Sequence, residues 1–64
     1  MGRLGQLNSR QLEQILKREG FELVRQKGSH RIFTKDDLVV VVPFRRKPLK
    51  KGTIMAILKQ AKLM

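Results

Sequence analysis

The apolar residues of this 64-residue chain change period twice, and that change limits the folds open to it. Leu12, Ile15 and Leu16 recur at helical spacing, the stretch from Phe21 to Val42 follows a strand pattern, and Ile54, Ile57, Leu58 and Ala61 return to i, i+3, i+4 and i+7. A segment written in one period cannot bury its apolar side in the other, so the order is helix, strands, helix. Asn8 with Gln11 forms a capping box ahead of the first helix. Leu7 and Leu12 stand at staple positions, Ser9 serves equally well as N-cap if the start slips by one residue, and Gly20 marks the stop.

Between the helices, Phe21 to Lys27 and His30 to Lys35 alternate about a Gly28-Ser29 reversal, with Asp36-Asp37 as the next turn. His30, Ile32 and Thr34 fall on one face of their strand, and Arg31, Phe33 and Lys35 on the other. Leu38 to Val42 is an unbroken run ended by Pro43, which predicts a strand covered on much of both faces. Phe21, Phe33 and Phe44 are expected in the core rather than as platforms for bases. Residues 44 to 52 connect to a helix entered at Gly52-Thr53. The fold class is α+β, with three antiparallel strands in a meander and both helices on one face, in two layers. Residues 1–7 read as a flexible tail and residues 8–64 as a single domain.

A chain this short hides only about 60% of its unfolded surface, which leaves room for a thin core and no deep substrate chamber. Fifteen Lys and Arg against five Asp and Glu give a formal net charge of +10, a field that attracts phosphate backbones or an acidic protein surface. There is no cysteine, hence no disulfide and no thiolate chemistry. One histidine and five scattered acids offer no metal cage, so neither metal nor cofactor is expected. The longest apolar run, Leu38 to Phe44, falls far short of the ~20 residues of a membrane helix, and a cytoplasmic protein is the default expectation.

Within this basic chain the single imidazole, His30, opens a strand directly after a turn. A histidine so placed is ordinarily a surface residue. Next to phosphate-attracting charge it is also suited to move protons, because imidazole titrates near ~6.5. Lys27, Ser29 and Arg31 flank it, and Arg45, Arg46, Lys47, Lys50 and Lys51 form a cluster with no acid nearby, the pattern of phosphate contacts.

Ser9-Arg10, Gly20-Phe21, Gly28-Ser29-His30-Arg31, Val40-Val41-Val42-Pro43, Leu49-Lys50-Lys51-Gly52-Thr53 and Ile57-Leu58-Lys59-Gln60-Ala61, in this order and spacing, resemble the HicA family across roughly residues 9 to 63. The resemblance implies a fold like the double-stranded-RNA-binding domain. It also implies a toxin of a type II toxin-antitoxin system: an endoribonuclease that cleaves mRNA and is neutralised by an acidic HicB-type antitoxin. The family's catalytic histidine falls on His30, as general base toward a ribose 2′-hydroxyl, with no metal. Lys27, Arg31 and the 45–51 cluster then supply charge to the phosphate. The chain departs from the family pattern at two places. Arg45-Arg46-Lys47-Pro48 replaces a segment that often carries a second histidine or a glycine. Lys62 stands where glycine is usual, so the last helix is expected to lack a left-handed cap and to run on or fray.

Two other functions fit the same composition. A non-catalytic RNA-binding module would use His30 as one more contact. A basic protein-interaction module would use its charge to dock an acidic partner, and its binding would survive high salt where RNA contacts do not.

Overall fold

The computed structural model describes residues 7–64, so all of the expected tail of residues 1–7 except Leu7 lies outside the described residues. Its elements run α1 (Ser9–Arg18), β1 (Glu22–Lys27), β2 (His30–Lys35), β3 (Leu38–Pro43) and α2 (Lys51–Gln60). The antiparallel sheet has the order β1-β2-β3. This is the α+β helix, meander and helix that the period changes predict.

Leu7 is tied to the domain. The Leu7 carbonyl accepts from the Leu49 amide at 2.9 Å, and the Leu7 side chain packs on the core. Asn8 caps α1 with both halves of the capping box in place, at 2.8 Å to the Gln11 amide and 3.0 Å back from Gln11 Oε1. Ser9 is therefore released from capping for another task, described below.

Residues opposed across an antiparallel pair share a face, so the register sorts the sheet into two sides. Gln26, Arg31 and Val42 form one row on the helix side, with Leu23, Phe33 and Val40 beside them. Phe33, Val40 and Val42 meet Leu12 and Leu16 of α1 and Ile54, Ile57 and Leu58 of α2, with Phe21, Leu49 and Ala61 closing the core. Each of these side chains other than Ala61 contributes about 1.5–3 kcal/mol by leaving water.

Among the described residues no element covers the other face. Lys27, His30 and Pro43 form its end row, Arg25, Ile32 and Val41 the next, and Glu22, Thr34 and Val39 the last. Val39 is 58% and Val41 39% exposed, which corrects the expectation of a β3 covered on both faces. The unbroken valine run reflects β propensity on its outer side rather than burial.

Three local features differ from the sequence reading. An extra residue at Val24 makes a β-bulge between the Leu23–Phe33 and Arg25–Ile32 pairs, so β1 does not alternate strictly. α2 starts at Lys51, ahead of Gly52-Thr53. Its C-terminus does have a left-handed residue: Lys62 sits at φ 59°, its amide donates to Lys59 and the Leu63 amide to Leu58. That is the same closing pattern Gly20 gives α1, where the Gly20 amide donates to Lys17 and the Phe21 amide to Leu16. Leu63 packing on the core holds lysine in a conformation glycine adopts more easily. Among the described residues no helix is long and apolar enough to cross a membrane.

Candidate nucleic-acid interface

His30 opens β2 at the end of the uncovered face, exposed to solvent, with Lys27 directly opposite on β1 and Pro43 on β3. Directly opposed side chains stand with Cβ atoms about 4.5–5.5 Å apart, so the Lys27 ammonium and the imidazole serve the same small region. Arg25 lies one row further in, opposite Ile32 and diagonal to His30.

The bulge is what assembles this trio. Strict alternation from Leu23 would carry Arg25 and Lys27 to the helix side with it. The extra residue at Val24 moves both onto the side of His30. Arg25 is the residue sequence reasoning missed, because a bulge leaves no mark in an alternation pattern that Val24 merely interrupts.

Arg31 follows His30 in sequence but points to the other face. Its Nε donates to Glu13 Oε2 at 2.6 Å, its Nη1 donates to Gln26 Oε1 at 2.8 Å, and its guanidinium lies 5.0 Å from the centre of the Phe44 ring. Glu13 is buried, and its pair with Arg31 is the one salt bridge among the described residues. Arg31 is thereby occupied in joining α1, β1 and β2. Phe44, expected in the core, is 41% exposed because the chain leaves the sheet after Pro43 and its ring remains at the rim against Arg31.

The chain beyond β3 is tied back to the His30 end. The Phe44 amide donates to the Ser29 carbonyl at 2.6 Å. The Ser9 hydroxyl, wholly buried, donates to the Pro43 carbonyl at 2.6 Å and accepts from the Arg45 amide at 2.9 Å. These bonds hold Arg45 and Arg46 at the same end of the sheet as His30, with Lys47 following, all exposed. Ser29 contributes its carbonyl to this clamp, while its side chain stays in solvent.

The 2.9 Å bond from the Leu49 amide to the Leu7 carbonyl sets the start of α2 beside the start of α1, so both helices aim their N-termini at this end. Neither has an acid in its first turn, and Lys50, at the N-cap of α2, makes no side-chain capping bond. With Lys50 and Lys51 there, free amides, helix dipoles and side-chain charge add with one sign. Glu22, Asp36 and Asp37 lie at the opposite end of the sheet, and Glu19 caps the far end of α1. Those acids share that end with Lys17, Arg18 and Lys35, whereas around His30 the one acid, Glu13, is already paired with Arg31, so positive charge is least compensated there. Among the described residues no three His, Asp or Glu side chains gather in one place.

A small two-layer domain with one exposed histidine inside a cationic end is the class these features define. Residues 9–63 match the HicA toxins of bacterial toxin-antitoxin systems, and the chain belongs to that family. It is therefore the toxin of a toxin-antitoxin pair, and its partner is an antitoxin. No curated protein matches the chain.

Proposed function

We propose that the protein is a metal-independent endoribonuclease that cleaves mRNA, with His30 as the general base. The observation that carries this reading is the row Lys27–His30 on an uncovered sheet face, with Arg25 behind it and the basic 45–51 segment at the same end. The imidazole takes the proton of a ribose 2′-hydroxyl as that oxygen bonds to the adjacent phosphorus. The P–O5′ bond breaks, leaving a 2′,3′-cyclic phosphate on one fragment and a 5′-hydroxyl on the other. Because His30 is exposed, the departing 5′ oxygen takes its proton from water.

Negative charge grows on the phosphoryl oxygens during this step, and fixed cations stabilise it more than they stabilise the ground state. Lys27 and Arg25 share the face of His30 and are assigned that role. Arg45, Arg46, Lys47, Lys50 and Lys51 hold the flanking backbone, Ser29 contributes to the turn that presents His30, and Arg31 supports the fold. The mechanism proposed uses no metal.

The antitoxin, on this reading, is acidic and HicB-like, and covers the open face. Val41 lies exposed in the row of Arg25, and Val39 further along the same open face, which suits a partner with an apolar centre and an acidic rim. Binding there closes access to His30.

Expression in a bacterium tests the proposal. The wild-type chain arrests growth and yields cut mRNA, whereas His30→Ala, folded as judged by circular dichroism, does neither. Arrest by folded His30→Ala would remove His30 from catalysis.

A further inference from the structure

On the helix side of the sheet end, a cavity of about 540 Å³ opens between the start of α1 and the chain leaving β3. Asn8, Arg10, Phe44, Arg45 and Arg46 line it. We propose that this cavity is a nucleotide subsite: it takes the phosphate and base of an RNA nucleotide neighbouring the one whose 2′-hydroxyl faces His30. The proposal rests on the ribonuclease reading for its connection to His30, and on the cavity's own chemistry for its ligand.

The volume lies within the ~300–1,000 Å³ typical of ligand clefts. Three of the five lining residues are arginines, and the one salt bridge among the described residues belongs to Glu13 and Arg31, outside the lining. Guanidinium forks match phosphate oxygens in pairs, so an uncompensated trio selects a phosphate-bearing ligand. The aromatic wall adds a second requirement. Phe44 meets the Arg31 guanidinium 5.0 Å from its ring centre and still leaves 41% of its surface exposed, an apolar area on which a base can stack. Phosphate and base together describe a nucleotide rather than an acidic peptide, whose carboxylates would leave the ring unused.

The walls are fixed before any ligand arrives. Ser9 clamps the Pro43 carbonyl and the Arg45 amide to the first turn of α1, and the Phe44 amide is bonded to the Ser29 carbonyl, the residue before His30. His30 and Pro43 face one side of the sheet, and Phe44 meets Arg31 on the other. A strand of RNA that passes over this end therefore reaches both sites, with His30 on one side and the cavity on the other. The cavity lets the enzyme hold an RNA next to the scissile bond, and it favours substrates long enough to cross the sheet end.

The test uses the intact chain carrying His30→Ala, titrated with adenosine 5′-monophosphate and separately with inorganic phosphate, followed through backbone amide resonances. Adenosine monophosphate is expected to shift the amides of Asn8, Arg10, Phe44, Arg45 and Arg46. Arg10→Ala with Arg46→Ala weakens it about tenfold or more, the scale of losing charge-assisted bonds. Phe44→Leu weakens the nucleotide but not phosphate. With His30 present, the double arginine variant cuts an oligonucleotide with lower kcat/KM. Unchanged nucleotide affinity in the arginine variant, or shifts confined to the open sheet face, overturns the subsite whatever His30 does. Nucleotide binding that disappears with the arginines, in a protein that cuts no RNA, keeps the subsite and removes the ribonuclease.

Discussion

Glu13 and Arg31 provide a quantitative test, because their pair separates the residues that hold the fold from those that meet RNA. The Glu13 side chain is 6% and the Arg31 side chain 19% exposed, joined at 2.6 Å. Removing one member of a buried pair costs about 3–5 kcal/mol, since the other charge is stranded. In Glu13→Ala, Arg31 keeps its Gln26 bond, its place on the Phe44 ring and some water, which brings the expected loss to the lower end, about 3 kcal/mol. A domain of 64 residues at about 0.05–0.15 kcal/mol per residue has roughly 3–10 kcal/mol in total, so this single change leaves the protein marginal. Replacing both partners by apolar side chains of similar size, Glu13→Leu with Arg31→Met, removes the stranded charge and returns stability to within about 1 kcal/mol of wild type. Urea unfolding followed by far-ultraviolet circular dichroism measures the differences, and RNA cleavage is assayed on the folded double variant. A loss under about 0.5 kcal/mol in Glu13→Ala would refute the buried pair. A double variant that folds like wild type but cuts no RNA would return Arg31 to the site.

Three further outcomes test other parts of the account. Lys62→Gly relieves a lysine held at φ 59° and should stabilise by about 1 kcal/mol, or roughly 4–8 °C in Tm; calorimetry showing a lower Tm would contradict the cap assignment. Lys50→Asn gives α2 the N-cap it lacks, adding about 1 kcal/mol of stability, while RNA binding weakens and loses about one phosphate from its salt slope. Equal RNA binding across salt would exclude Lys50 from the interface. Deleting Val24 removes the bulge but keeps each pair on either side of it, so Lys27 stays opposite His30 and cleavage persists; loss of the Lys27–His30 cross-strand amide contact by NMR would show the register read incorrectly.

The element order was legible because each boundary has a chemical cause in the sequence: the Asn8–Gln11 box, the Gly20 stop, the Gly28-Ser29 reversal and Pro43. His30 was legible as the one imidazole beside a turn, and the basic segment as charge without nearby acids. What the sequence hid depends on contacts between distant residues. Ser9 reads as a cap and acts as a clamp on Pro43 and Arg45, and nothing in the local pattern marks Glu13 as the residue buried under Arg31. Arg31 sits next to His30 along the chain and on the opposite face in space, which alternation predicts but proximity in sequence obscures. The faces of Arg25 and Lys27 turn on one bulged residue, and local propensity does not mark where a strand will admit it.

The most direct test of the central claim is an end-group analysis of an RNA oligonucleotide containing one cleaved bond, incubated in parallel with a copy 2′-deoxy at that bond. The wild-type protein is expected to cut only the all-ribose strand, leaving a 2′,3′-cyclic phosphate and a 5′-hydroxyl, and folded His30→Ala is expected to leave both strands intact. Cleavage of the deoxy-substituted bond, or wild-type cleavage by His30→Ala, would contradict a histidine base acting on the 2′-hydroxyl.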